Sequence, residues 1–232
     1  ITYEGTEDAV GVFNNASNNI GLGRGIVLST GSVNDINGLS SELADGDTSR
    51  DGIIDEQLED LAGISVKDIA RYTIEFIPTS DTLRFRYVFA SEEYPQFQCS
   101  SSNDAFGFFI KGTNPNGPDY DFDNIALIPD PDNPSTFLDL PVTINNVNNG
   151  IVPNIGNPDR CILEYSEYYN DVAPNRYPIF NGYLDVFIAE AIVVPCETYT
   201  IKIAIGDGRE GEIDSAVFLE EKSFSTGSLD IN

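Results

Sequence analysis

The stretch FASEEYPQFQCSSSNDAFGFF, Phe89 to Phe109, sets two adjacent carboxylates, Glu92 and Glu93, and an Asn103-Asp104 pair between two apolar, aromatic runs. Their side-chain oxygens are hard donors, which calcium takes in sets of about six to eight, often with backbone carbonyls. A second acidic loop, GDGREGEIDSAVF, offers Asp207, Glu210, Glu212 and Asp214 between two further apolar runs. Two such loops at strand ends can meet at one end of a β-sandwich. Glu92, Glu93, Asn103, Asp104, Asp207 and Asp214 are therefore the leading candidate calcium ligands. The competing reading is structural: Glu92 or Glu93 pairs with Arg71, Arg84 or Arg86, or the Asx residues cap turns.

A third stretch, DGDTSRDGIIDEQLEDL, has the outline of an EF-hand loop. Counted from Asp47, it places Ser49, Asp51 and Asp55 at ligand positions and Gly52 at the sharp turn, but it puts Leu58 where the closing carboxylate belongs. No amphipathic helix of ordinary length precedes it. Asp45, Asp47, Asp51 and Asp55 form a secondary candidate set, set against a solvated turn before a short helix.

Other chemistries are restricted by what the chain lacks. It has no histidine, which removes His-dependent triads, imidazole acid-base work and the usual zinc and copper sites. Cys99, Cys161 and Cys196 match no metal-ligand spacing. The simplest arrangement is one disulfide and one spare thiol, with three pairings open. Two carboxylates could serve glycoside hydrolysis, but acids are so abundant that finding two near each other says little. GLGRG at Gly21 lacks the spacing of a dinucleotide fingerprint.

Charge is the extreme property. Twelve basic residues stand against 38 acidic ones, a net charge of −26 over 232 residues. Such a surface repels nucleic acids and anionic membranes, and it suits an extracellular protein, a calcium binder, or both. Apolar residues make up 41% of the chain, enough for a packed core. The longest apolar stretch, VFIAEAIVV, is of strand length and contains Glu190, so no membrane-spanning helix is expected.

The elements that must position these loops read as strands. In TLRFRYVF, Leu83, Phe85, Tyr87 and Phe89 point one way while Thr82, Arg84 and Arg86 point the other. In AFGFFI, Phe106, Phe108 and Ile110 share a face, and Gly107 leaves room on the opposite one. TYTIKIAI alternates in the same way. GIVLST, YTIEFI, NIALI, PVTIN, YLDVFIAEAIVV and SAVFLEE complete about nine or ten strands separated by Gly, Pro, Asn and Asp turns. The expected fold is all-β, an antiparallel sandwich or jelly-roll-like domain with long loops and little helix. DEQLEDLAG predicts two helical turns stopped by Gly63. The segment from 112 to 157, dense in Pro, Asn, Asp and Gly, reads as long surface loops around two strands. No domain boundary interrupts residues 1–232.

Several of these pieces occur in an order that resembles the choice-of-anchor L domain family. They are GIVLSTGSV, DLAGISVKDIARYTIEFIPTSDTLRFRY, YVFASEEYPQF, NDAFGFFIKG, NIALIP, VTINNVN, PCETYTIKIAIGDG and DSAVFLEEKSF. The resemblance implies a non-catalytic extracellular module of the large secreted or surface-anchored proteins of Bacteroidetes-type bacteria, with a structural or adhesive role. It also implies that Glu92, Glu93, Asn103, Asp104, Asp207 and Asp214 belong to the family pattern, which strengthens calcium. Two segments depart from it: GREGEID replaces a more Asp-rich loop, so Asp207 and Asp214 would hold a metal less completely, and FNGYLDVF stands where an Asp-Gly turn is expected. Family members carry a further apolar stretch before the GVF region. Its shortness here raises the expectation that a core strand is supplied by another copy or surface protein through strand addition, giving a filament or array. The alternative function is a calcium-dependent, lectin-like carbohydrate-binding module, since NDAFGFFI also resembles a metal-flanking strand of legume-lectin-like sandwiches. Its ligands would be glycans. Asp81-Thr82-Leu83 and Asp214-Ser215-Ala216 match a Bacteroidetes-type O-glycosylation pattern. Thr82 is the candidate, because Ser215 is expected within a strand.

Overall fold

The computed structural model describes residues 1–38, 52–174, 176–208 and 213–224. The period-two patterns become two antiparallel sheets packed face to face. One sheet runs in the order β1 (Thr2–Glu4), β4 (Val66–Phe76), β13 (Tyr199–Gly208), β6 (Ala105–Gly112) and β7 (Tyr120–Asn124). The other runs β10 (Tyr169–Asp171), β11 (Gly182–Leu184), β5 (Thr82–Ser91), β14 (Ser215–Glu220), β3 (Arg24–Ser29) and β2 (Val10–Asn14), and β12 (Phe187–Ile192) pairs with the first half of β5. A small third sheet joins β8 (Leu127–Asp130) to β9 (Asn133–Pro141). The fold is the expected all-β sandwich.

The interlayer core is aromatic. Leu83, Phe85, Tyr87 and Phe89 of β5 face Phe106, Phe108 and Ile110 of β6, all buried. Phe85 stacks on Phe108 with ring centroids 4.7 Å apart, and Tyr87 meets Phe106 at 5.2 Å. Offset or tilted pairs of this kind add to the stabilisation that burial alone supplies.

The outer faces are covered as well. Val88 and Ala90 of β5 pack with Phe180, Phe218 and α1 (Ser17–Ile20). On the opposite sheet, α2 (Glu56–Ala62) lays Leu58 and Ala62 on Phe109 and Ala204. Asp55 caps α2 by accepting the Leu58 N–H at 3.2 Å, and Gly63 ends it in the left-handed region with φ +71. A Cβ at Gly107 would lie 2.5 Å from the Phe109 ring and 3.1 Å from Leu61. The room that glycine leaves is thus what lets the Phe109 ring and α2 sit close to β6.

Two expectations are corrected. PVTIN does not form a strand: β9 ends at Pro141, and Val142 to Asn148 make a buried turn joined to β6 by a single bridge, Ala105 to Thr143. Asn148 Nδ2 donates to the Ile162 carbonyl at 3.0 Å, and Asn146 Nδ2 donates to the Pro141 carbonyl at 3.0 Å. Amide side chains thus take backbone bonding that a strand ladder would have used. The segment from 112 to 157 contains three strands instead of two, and part of it is core instead of surface loop. At the front of the described chain, β1 pairs with β4 in the register Thr2 to Thr73.

Cys99 and Cys161 form a disulfide that ties the β5–β6 loop to the segment after the buried turn, and Cys196 is an exposed free thiol. The bridge spans 62 residues, and closing a loop of that size stabilises a fold by about 4 kcal/mol on chain-entropy grounds.

Candidate functional site

The six leading candidates arrive at one end of the sandwich from both sheets. Glu92 and Glu93 follow β5, Asn103 and Asp104 precede β6, Asp207 lies near the end of β13, and Asp214 precedes β14. Glu92, Glu93, Asp104 and Asp207 are buried, and Asp214 is half-buried. Charged groups are seldom buried unless bonded or neutralised, so their bonding decides what they do.

Asp104 is fully buried and spans the two layers. Its Oδ1 accepts the Gly208 N–H at 2.9 Å from β13, and its Oδ2 accepts the Ser215 hydroxyl at 2.5 Å from β14. Burial pushes its carboxyl well above the usual carboxylate range, and the nearby Asp207 and Asp214 charges push the same way. The Ser215 and Gly208 bonds oppose that shift. A Cβ at Gly208 would lie 2.6 Å from the Asn103 backbone, so the approach of β13 to this loop requires glycine.

Asn103 locks the same loop from the other side. Its Nδ2 donates to the Ala62 carbonyl at the end of α2, 2.9 Å away, and its Oδ1 accepts the Asn145 N–H at 3.0 Å. Asn145 in turn accepts the Cys99 N–H at 2.6 Å and donates to the Ser100 carbonyl at 3.3 Å. The chain of bonds therefore runs from α2 through Asn103 and Asn145 to the disulfide. Asn145, Thr30 and Ser215 were not among the expected functional residues. The asparagine-rich VTINNVNNG was the only sequence signal for the first.

Glu92 and Asp214 face each other across strand ends. The Glu92 N–H donates to the Asp214 carbonyl at 3.0 Å, and the Asp214 N–H donates to Glu92 Oε2 at 3.4 Å. Thr30 Oγ1 donates to Asp214 Oδ1 at 3.3 Å. A Cβ at Gly31 would meet the Asp214 carboxylate at 1.8 Å. Glu93 and Asp207 line a cleft of about 340 Å³ together with Ser100, Ser102, Asn157 and Arg160, beside the disulfide. Among the described residues, no group of three or more acidic or thiol side chains is arranged to hold a metal ion.

The basic residues weighed as salt-bridge partners are engaged elsewhere. Arg84 pairs with Glu190 at 2.5 Å, Arg86 pairs with Glu220, and Arg71 pairs with Glu4 at 2.8 Å and Asp55 at 3.0 Å. In the secondary set, Asp45, Asp47 and Asp51 lie outside the described residues, as do Glu210 and Glu212. Asp55 is buried, caps α2 and accepts Lys202 Nζ at 2.5 Å. Two cations and a helix end thus occupy both its oxygens. Thr82 opens β5 half-buried and donates its hydroxyl to Asp81 at 3.1 Å, while Ser215 is fully buried.

The family model of the choice-of-anchor L domain matches residues 1–225, and the chain belongs to that family. The family implies a cell-surface or secreted protein. No curated protein and no solved structure matches the chain.

The bonding of Asp104 makes a specific prediction. Asp104→Asn keeps an oxygen for the Gly208 N–H and an amide for Ser215, whose hydroxyl can accept as well as donate. It is expected to cost under about 1 kcal/mol in denaturant unfolding. Asp104→Ala strands a buried N–H and a buried hydroxyl and is expected to cost about 3 kcal/mol. Equal losses from the two variants would show that Asp104 is not a hydrogen-bonded lock.

Proposed function

We propose that this choice-of-anchor L domain is a non-catalytic structural or adhesive module of the cell surface, and that its acidic end is a clasp closed by calcium at Glu93 and Asp207. The observation that carries the clasp is the bridge from Asp104 to Gly208 and Ser215, which joins the two sheets where the acidic loops converge. Asn103 and Asp104 have both side-chain ends committed to that clasp, so they serve as locks. Glu93 and Asp207 are buried and line one cleft with Ser100, Ser102, Asn157 and Arg160. Two carboxylates with neutral oxygens and water are a common calcium ligand set. Neutralising them would also relieve the repulsion that Asp207 exerts on Asp104.

Self-assembly is a second reading, favoured by the β2 edge. The strands β1, β7, β10 and β12 carry Glu4, Asp121 and Asp123, Asp171 and Glu190, whereas β2, VGVFN, carries no charge and no proline. Edge strands usually bear such blockers. Val12 and its partner Ile26 are exposed beside an interlayer cleft of about 630 Å³ that also holds Ile1 and Phe224. Pairing of this edge with a second copy would cover them.

Thermal unfolding with chelator and with millimolar calcium tests the clasp. Calcium is expected to raise the midpoint, by the equivalent of about 2.7 kcal/mol at a hundredfold excess over Kd. A Glu93→Gln, Asp207→Asn double variant is expected to stay folded and lose that response. An unchanged wild-type midpoint would remove calcium from the account. For the edge, sedimentation should show concentration-dependent association that Val12→Lys abolishes. A monomer at every concentration would dismiss self-assembly through β2.

A further inference from the structure

The outer face of the β2 sheet carries a cleft of about 650 Å³, bounded by β2, α1, the segment from Val33 to Asn37, and Tyr177-Pro178. That volume lies in the range of small-ligand sites. Among the described residues, none that lines it is charged, in a chain where 22% of residues are. The other two clefts described above contain Arg160 with Asp207, and Arg24 with Glu220. The neutrality extends along the sequence, because Ala9 to Gly23 contains no charged residue.

What lines the cleft instead is amide and aromatic. Asn14, Asn15, Asn19 and Asn37 are exposed, and their side chains make no hydrogen bond among the described residues. Each presents both a donor and an acceptor. Tyr177 stands at the rim, 57% exposed, and the floor is apolar, with Val27, Phe13 and Phe218. Phe13 and Phe218 are fixed against each other edge to face at 5.3 Å.

We propose that this cleft binds a neutral glycan. A sugar ring offers hydroxyls that donate and accept, which amides match. It also offers an apolar face of C–H groups, which an exposed tyrosine and an apolar floor match. A charged ligand finds no counter-ion here among the described residues, and a net charge of −26 repels anionic polysaccharides. The site is separate from Glu93 and Asp207, so binding does not require calcium.

The test is an immobilised panel of neutral saccharides (β-glucan, mannan and N-acetylglucosamine oligomers) and anionic ones (polygalacturonate and heparin), read in chelator below the unfolding midpoint. Retention of a neutral saccharide is expected, followed by calorimetry with that oligosaccharide. Tyr177→Ala and Asn19→Ala, both at exposed positions, should each weaken it about tenfold or more. Cys196→Ser, outside the cleft, should leave it unchanged. No neutral saccharide retained, retention of anionic saccharides alone, retention that requires calcium, or affinity insensitive to both cleft variants would each overturn the proposal. The calcium clasp is read separately, by the midpoint shift.

Discussion

A buried carboxyl joining two sheets constrains the rest of this molecule. Asp104 accepts from Gly208 on one layer and from Ser215 on the other. Leaving a bonded group like this unmade inside a protein costs more than the bond itself contributes. Once Asp104 is placed, β13 must pass close to the Asn103 backbone, which fixes glycine at 208. Ser215 must point inward at the start of β14, and Asn103 is left aimed at α2 and Asn145. The disulfide at Cys99 and the buried turn after Pro141 then attach to the same network through Asn145.

Much of the framework was legible because it follows one-dimensional rules. Alternation in TLRFRYVF identified the face that β5 turns to the core, and the apolar spacing and Gly63 identified α2. Gly107 announced a close packing that proved to be the Phe109 ring and Leu61. That Glu92, Asp104, Asp207 and Asp214 come together was legible too, since all lie at strand ends. Hydrophobic pattern could not give the fate of each polar group. VTINNVNNG looked like a strand and a loop, yet Asn145 and Asn148 are buried, and the amides of Asn146 and Asn148 replace backbone partners. Asp55 resembled a calcium ligand, but Lys202 and Arg71 reach it from distant strands. The pairing of Cys99 with Cys161 depends on the same long-range placement.

Charge divides the surface into regions with different capacities. Acidic residues far outnumber basic ones, and several of the described basic residues sit in cross-strand pairs such as Arg84 with Glu190 and Arg86 with Glu220. Against that background, the uncharged run from Ala9 to Gly23 is the exception. It forms an edge without blockers and one wall of a cleft rich in amides. An acidic end that holds the layers together and a neutral flank that can meet ligands or copies are consistent with a surface module, the class its family implies.

At the acidic end, side-chain oxygens of Asp104, Asn103 and Asn145 form a polar clasp that holds the backbone in place. Residue-resolved amide exchange tests it directly, because three backbone N–H groups, those of Gly208, Asn145 and Cys99, bond to side-chain oxygens of Asp104, Asn103 and Asn145. All three are expected to exchange as slowly as the central amides of β13, opening only with global unfolding. Exchange of these amides at the rates of exposed loops, while β13 stays protected, would contradict it.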